Sequence, residues 1–220
     1  MFVELISALR CLTPHEESWL VAAARRTVGR NVAEGTLGCP VCRREYPIVG
    51  GVAYFGTEPP AAAGTRAEER WDAPADAPDE ALRLAALLDL ATPGGLVVLG
   101  GGWGRLAPAL LEIAPVRCLL VDPDFDARGA GELSVIRSAG AIPIAAGAAR
   151  GVALDALAAG EGTLAAAVRA LGAGGRLVAP AEASLPAGIA ELARDGALWV
   201  GERAEAPPSA PVAIGRPRRA

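Results

Sequence analysis

Residues 95–122 read GLVVLGGGWGRLAPALLEIAPVRCLLVD, and the rest of the chain takes its meaning from them. Residues 96–99 are an all-apolar run bounded by glycines, the pattern of a strand buried on both faces in a parallel sheet. Gly100, Gly101, Gly102 and Gly104 then surround Trp103, so the backbone can bend sharply and approach a neighbour with no Cβ in the way. Leu106, Leu110, Ile113 and Ala114 recur at helical spacing, which predicts a helix directly after the loop. A second apolar strand, 118–121, ends in Asp122. Strand, glycine loop, helix, strand and acid in that order make the layout of a nucleotide-binding half-sheet.

The glycine spacing separates two cofactor classes. A dinucleotide fingerprint needs G-x-G-x-x-G, and counting from Gly100 and Gly102 puts Arg105 in the third glycine position. Counted as G-x-G-x-G on Gly100, Gly102 and Gly104, the loop resembles the first motif of the class I S-adenosylmethionine-dependent methyltransferases. That resemblance implies S-adenosylmethionine as cofactor, with its methionine end on the glycine loop and its ribose on Asp122. The chemistry suits the acid, since two vicinal hydroxyls are donors and an ionised carboxylate is an acceptor-only group. The family usually carries a further acid two residues before the first loop glycine; this chain has Val98 there.

Three of the four cysteines and the single histidine fall in the first fifth of the chain. Cys11-x3-His15 and Cys39-x2-Cys42 form two chelating pairs, a ligand set for a closed tetrahedral zinc site. A segment of about fifty residues has little core of its own, and a structural metal is a usual remedy at that size. The alternative is a surface histidine with free thiols. A redox role for Cys39 and Cys42 is disfavoured, because reactive C-x-x-C pairs open a helix and this one runs into Tyr46-Pro47 and Gly50-Gly51. Between the pairs, residues 19–26 and 31–37 flank a turn at residues 28–30 and predict two strands, giving a zinc ribbon. The run CPVCRREYPIVGGVAYF resembles the zinc-ribbon family that serves as activator subunits of methyltransferases. The match spans residues 9–55, with His15 and one extra residue of spacing where that family usually places its second cysteine. It implies a protein partner met through the ribbon.

Residues 57–78 are rich in Ala, Pro and charge without an apolar period, so they predict a linker, with Trp71 as their one large side chain. Helical spacing returns over 79–90, with Asp79 as N-cap and Pro93-Gly94 as stop. Further strands are expected at 141–145, 151–154, 176–179, 197–200 and 211–214, and helices at 163–171 and 189–193. The segment VRALGAGGRLVAP resembles the methyltransferase pattern of helix, Pro-Gly-Gly type turn and fifth strand, with Ala173 in the usual proline position. Seven strands result, the family number. The family's substrate-side motif after the fourth strand is missing, because Asp155 is followed by Ala156, Leu157 and Ala158.

Composition bounds the partners. Lysine is absent, which removes Schiff-base and lysine-base chemistry, and with the excess of Ala, Gly and Pro it reads as genomic base bias. A net charge of −4 opposes a general attraction to nucleic acid, despite the basic tail Arg216, Arg218 and Arg219. No apolar run reaches the ~18 residues of a membrane span, and the N-terminus lacks a signal-peptide cleavage pattern. A soluble cytoplasmic protein is expected. The expected fold is α/β: a zinc ribbon (1–56), a linker (57–78) and a Rossmann-like, seven-stranded methyltransferase-type domain (79–220). Two functions follow: methyl transfer to an unidentified acceptor, which orientation alone can drive, or a catalytically inactive adaptor or activator that docks on a partner protein.

Overall fold

The computed structural model describes residues 1–60 and 77–204. Trp71, most of the expected linker and the expected strand at 211–214 lie outside them. After a short helix, α1 (Val3–Ile6), two hairpins follow. In the first, β1 (Val21–Val28) and β2 (Asn31–Gly38) pair antiparallel across Gly29-Arg30. In the second, β3 (Glu45–Val49) and β4 (Val52–Tyr54) pair across Gly50-Gly51, where both glycines have positive φ (57° and 80°). A two-residue hairpin of this type needs that conformation at both positions, which is why two glycines stand together here.

The second half supplies α2 (Ala77–Leu87), β5 (Leu96–Gly100), a 3-10 helix at 101–106, α3 (Ala107–Ile113), β6 (Arg117–Val121) and β7 (Leu133–Arg137). It continues with β8 (Ala149–Leu154), α4 (Glu161–Ala170), β9 (Leu171–Pro180), β10 (Ile189–Arg194) and β11 (Leu198–Arg203). Asp79 lies inside the first turn of α2 and not at its cap. All strands join one mixed sheet in the order β1-β2-β3-β4-β7-β6-β5-β8-β9-β11-β10. Among the described residues the sheet has eleven strands, not the expected seven, because the four N-terminal strands β1 to β4 extend it: β4 pairs parallel with β7, Val52 opposite Val135.

Strands β7, β6, β5, β8 and β9 are parallel, and β11 runs antiparallel between β9 and β10. Successive residues of the central strands alternate between two packed faces. Val97, Leu99, Cys118 and Leu120 share a cluster with Leu84 of α2, Leu88 just beyond it and Leu110 of α3. Leu96, Val98, Leu119 and Val121 belong to the other cluster, with Leu164 and Ala167 of α4 and with Leu9, Ile48 and Phe55 from the ribbon side. Both faces being apolar is why these strands read as unbroken apolar runs.

Two elements differ from expectation. The third parallel strand is 133–137 and not 141–145. Pro143 cannot donate within a central ladder, and its segment instead lies against the N-terminal residues, with Arg10 donating to the Pro143 carbonyl and Ala145 to that of Ala8, each at 2.8 Å. Residues 189–193, whose Ala, Leu and Glu content favours a helix, form the edge strand β10. Pairing with β11 overrides local preference there, and the register skips Leu192, leaving it about half exposed. Residues 172–175, expected as a turn before the strand, belong to β9 and form an irregularity in its pairing between Leu171, opposite Ala149, and Arg176, opposite Gly151. No helix among the described residues is long and apolar enough to cross a membrane.

Candidate metal centre and glycine-loop site

The N-terminal segment brings Cys11, His15, Cys39 and Cys42 together, with one potential ligand atom from each lying within 4.8 Å of the others. Cys39 and Cys42 sit on a tight turn after β2, held by Arg43 N donating to the Cys39 carbonyl (3.0 Å) and Cys39 N to that of Arg44 (2.9 Å). Cys11 is fixed by its own N–H on the Ser18 carbonyl (3.3 Å). The sulfurs of Cys11 and Cys42 are 3.6 Å apart, and Cys39 Sγ is 3.4 Å from His15 Nε2. A tetrahedron with metal–sulfur bonds of ~2.3 Å has edges of about 3.8 Å, so the cluster is the right size for such an ion.

His15 Nδ1 is 2.5 Å from the Glu16 carbonyl. That contact holds the proton on Nδ1 and leaves Nε2 as the free ligand atom, the usual orientation of a metal-binding imidazole. Without metal, the same carbonyl and the neighbouring thiols raise the His15 pKa to about 9. Burial would raise Cys11, but hydrogen bonds from Tyr46 and Thr13 outweigh it and bring the thiol down to about 6. Cys11 and Cys42 are thus eased toward thiolate, the form a metal binds, whereas burial raises Cys39. Cys118 is the contrast: it is fully buried in β6, and burial with Glu132 nearby pushes its thiol up to about 12.

The second site lies where the strand order reverses, at the C-terminal ends of β5, β6 and β8. In open α/β sheets that position is the ligand crevice. Gly100 ends β5, Gly102 and Gly104 lie in the 3-10 helix that follows it, where the sequence predicted a loop, and Asp122 follows β6. Each loop glycine, however, backs onto the chain itself. A Cβ on Gly100 would meet Leu154 and Ala158, and one on Gly104 would meet Leu120 and Phe125. Gly101, at φ 62°, has the Asp155 carboxylate where a Cβ would stand. Asp155, just beyond β8, accepts from Gly102 N at 2.6 Å, and from Leu157 N and Ala158 N at 3.1 and 2.8 Å.

Asp122 is engaged in a similar way. At φ 47° it turns its carboxylate onto the loop after β7, accepting from Ser138 N and Gly140 N, both at 2.7 Å, and from Ser138 Oγ at 3.2 Å. Arg105 reaches Asp124 at 3.2 Å and lies over the Phe125 ring, 4.5 Å from its centroid. Val98 is fully buried, so an acid at that position would be placed in the core. In the sequence Asp155 stands only as an acid at a strand end; its part at the glycine-rich stretch comes from the pairing of β8 with β5, which no local pattern signals.

No protein-family model matches the chain, and no curated protein sequence does. Among solved structures, a geranyl diphosphate methyltransferase with S-adenosylmethionine is similar at TM-score 0.37 and 15% identity over 46% of this chain. This chain spans about half of that one's length, 48%. A protein of Methanococcus maripaludis assigned as an S-adenosylmethionine-dependent methyltransferase gives 0.44 at 13% identity, covering 60% of this chain and 86% of that one. The complex between the Haloferax volcanii Trm112 methyltransferase activator and a protein assigned as a methyltransferase gives 0.34 at 19% identity, covering 45% and 50%. Likeness at this level carries no activity or ligand across to this chain.

Proposed function

We propose that the chain is a zinc-stapled scaffold whose methyltransferase-like sheet does not by itself turn over S-adenosylmethionine. Its parts are a ribbon, 1–56, a linker, 57–78, and an α/β unit, 79–220, with the first closed onto the sheet of the last. The observation that carries this reading is Asp155: its carboxylate lies against Gly101 and accepts from Gly102 N, in the space the glycine loop would otherwise offer a ligand. Asp122, the acid suited to ribose hydroxyls, is likewise committed to Ser138 and Gly140. The zinc of the ribbon is structural in this reading, held by Cys11, His15, Cys39 and Cys42. A protein partner would meet the outer edge of β1, since the ribbon's inner strand β4 is already paired with β7.

A second reading, donor binding with methyl transfer to an unidentified acceptor, is favoured by one feature. The glycines and both acids gather at the reversal point of the sheet. There Gly100, Gly102 and Gly104 would hold the methionine end and Asp122 the ribose once both carboxylates had swung away. Calorimetric titration with S-adenosylmethionine decides between the two. The scaffold reading expects a Kd weaker than about 1 mM for the wild type and no methylated product on generic acceptors. Saturable micromolar binding that Asp122→Asn weakens would overturn it.

A further inference from the structure

The metal reading leaves one buried group beside the cluster without an assigned role: the hydroxyl of Tyr46. Tyr46 lies on β3, opposite Leu37 of β2 and so next to the strand that ends at Cys39, and it is 1% exposed. Its Oη is 3.2 Å from Cys11 Sγ and 3.1 Å from Leu12 N. The Leu12 N–H can only donate, so it uses a lone pair of the hydroxyl oxygen. The single hydroxyl proton then has the Cys11 sulfur as its acceptor. A metal-bound thiolate has no proton of its own, which fixes this direction.

The ring holds the hydroxyl in place. It stacks on Phe55, with centroids 4.5 Å apart and planes 29° from parallel, and Phe55 N donates to the Arg137 carbonyl at the end of β7 (2.7 Å). Thr13 N is the second donor to the same sulfur, at 3.4 Å. Cys42, by contrast, is exposed. The cluster is therefore asymmetric: one thiolate is capped by a hydroxyl anchored through an aromatic pair to the parallel sheet, and another faces solvent.

We infer that Tyr46 is a positioning residue of the metal centre, its hydroxyl orienting the Cys11 thiolate and drawing off part of its charge; this rests on the metal reading above. Groups that hydrogen-bond to metal ligands typically change affinity 10- to 100-fold when removed. Tyr46→Phe keeps the ring and its stacking and removes only the donor. Tyr54→Phe, the chain's other tyrosine, is the control, because Tyr54 packs in the opposite cluster.

The experiment loads the full chain with cobalt(II) as a spectroscopic probe and measures zinc affinity by chelator competition. Tyr46→Phe is expected to move the sulfur-to-cobalt charge-transfer band to lower energy and to weaken zinc roughly 10- to 100-fold, with Tyr54→Phe matching the wild type on both. A Tyr46→Phe band and affinity equal to the wild type would overturn the assignment while leaving the metal reading intact. Absence of cobalt and zinc binding by the wild type would overturn both. Should Tyr46→Phe not fold, cadmium-113 NMR of the wild type serves instead: a slowly exchanging tyrosine hydroxyl proton coupled to the metal supports the bond, and a freely exchanging one overturns it.

Discussion

The ribbon and the crevice at the end of β5 are two places where a spaced motif converges in space, and they converge differently. At the Cys/His cluster, three sulfurs and an imidazole nitrogen approach in two pairs, at 3.6 and 3.4 Å, spacings that suit an ion's corners. At the crevice, the glycines approach carboxylates and side chains of the same chain, with Gly102 N bonded to Asp155 at 2.6 Å. A ligand motif made of side chains carries its chemistry with it. A glycine motif states only that something comes close, and leaves open what that something is.

The largest expected effect falls on the ribbon. Elemental analysis should find about one zinc per chain, and Cys42→Ser should weaken zinc by roughly a hundredfold or more, since each ligand carries a large share of such a site. Chelation should loosen the ribbon hairpins, read as faster amide exchange in β1 to β3. Folded ribbon with no metal present would break the comparison at its stronger side.

At the crevice the expected loss is smaller and falls on stability. Asp155→Ala removes the acceptor for three backbone N–H groups and should lower urea stability by about 1–3 kcal/mol. A more stable variant would mean that the carboxylate is held there under strain, awaiting a ligand. Asp122→Asn keeps a residue type that tolerates positive φ and halves the carboxylate's accepting capacity, so a loss of ~1 kcal/mol is expected. If stability is unchanged and S-adenosylmethionine affinity falls, Asp122 serves a ligand and not the 138–140 loop.

Cys118 gives the smallest signal and sharpens the contrast among thiols. Buried in β6 and with its pKa near 12, it should stay unlabelled by iodoacetamide in folded, metal-loaded protein, and react only after denaturation. Labelling at the rate of a free thiol would show that the central sheet opens readily.

Much of the site was legible before the structure. The grouping of Cys11, His15, Cys39 and Cys42 is legible in residue type and spacing, because side chains able to bind a metal can be recognised in a linear string. The strands expected at 96–99, 118–121 and 151–154 fall within β5, β6 and β8 for a similar reason: burial on both faces leaves a short apolar run. Residues 133–137 and 141–145 are both apolar enough for a strand, and only the pairing partners, β6 for the first and the N-terminal residues for the second, tell them apart. Residues 189–193 carried helical preference, which pairing along β11 outweighs.

By itself, then, the sequence singled out the Cys11, His15, Cys39 and Cys42 group, the glycine-rich stretch and the acid after β6, since each depends on residue identity and local spacing. Tertiary structure alone decided that the ribbon continues the sheet through β4 and β7, that Asp155 lies against the glycine loop, and that Tyr46 caps Cys11. Those relations join residues 53, 35 and up to 83 positions apart. Contacts between residues so distant are set by which strands become neighbours, and strand order is a property of the packed whole.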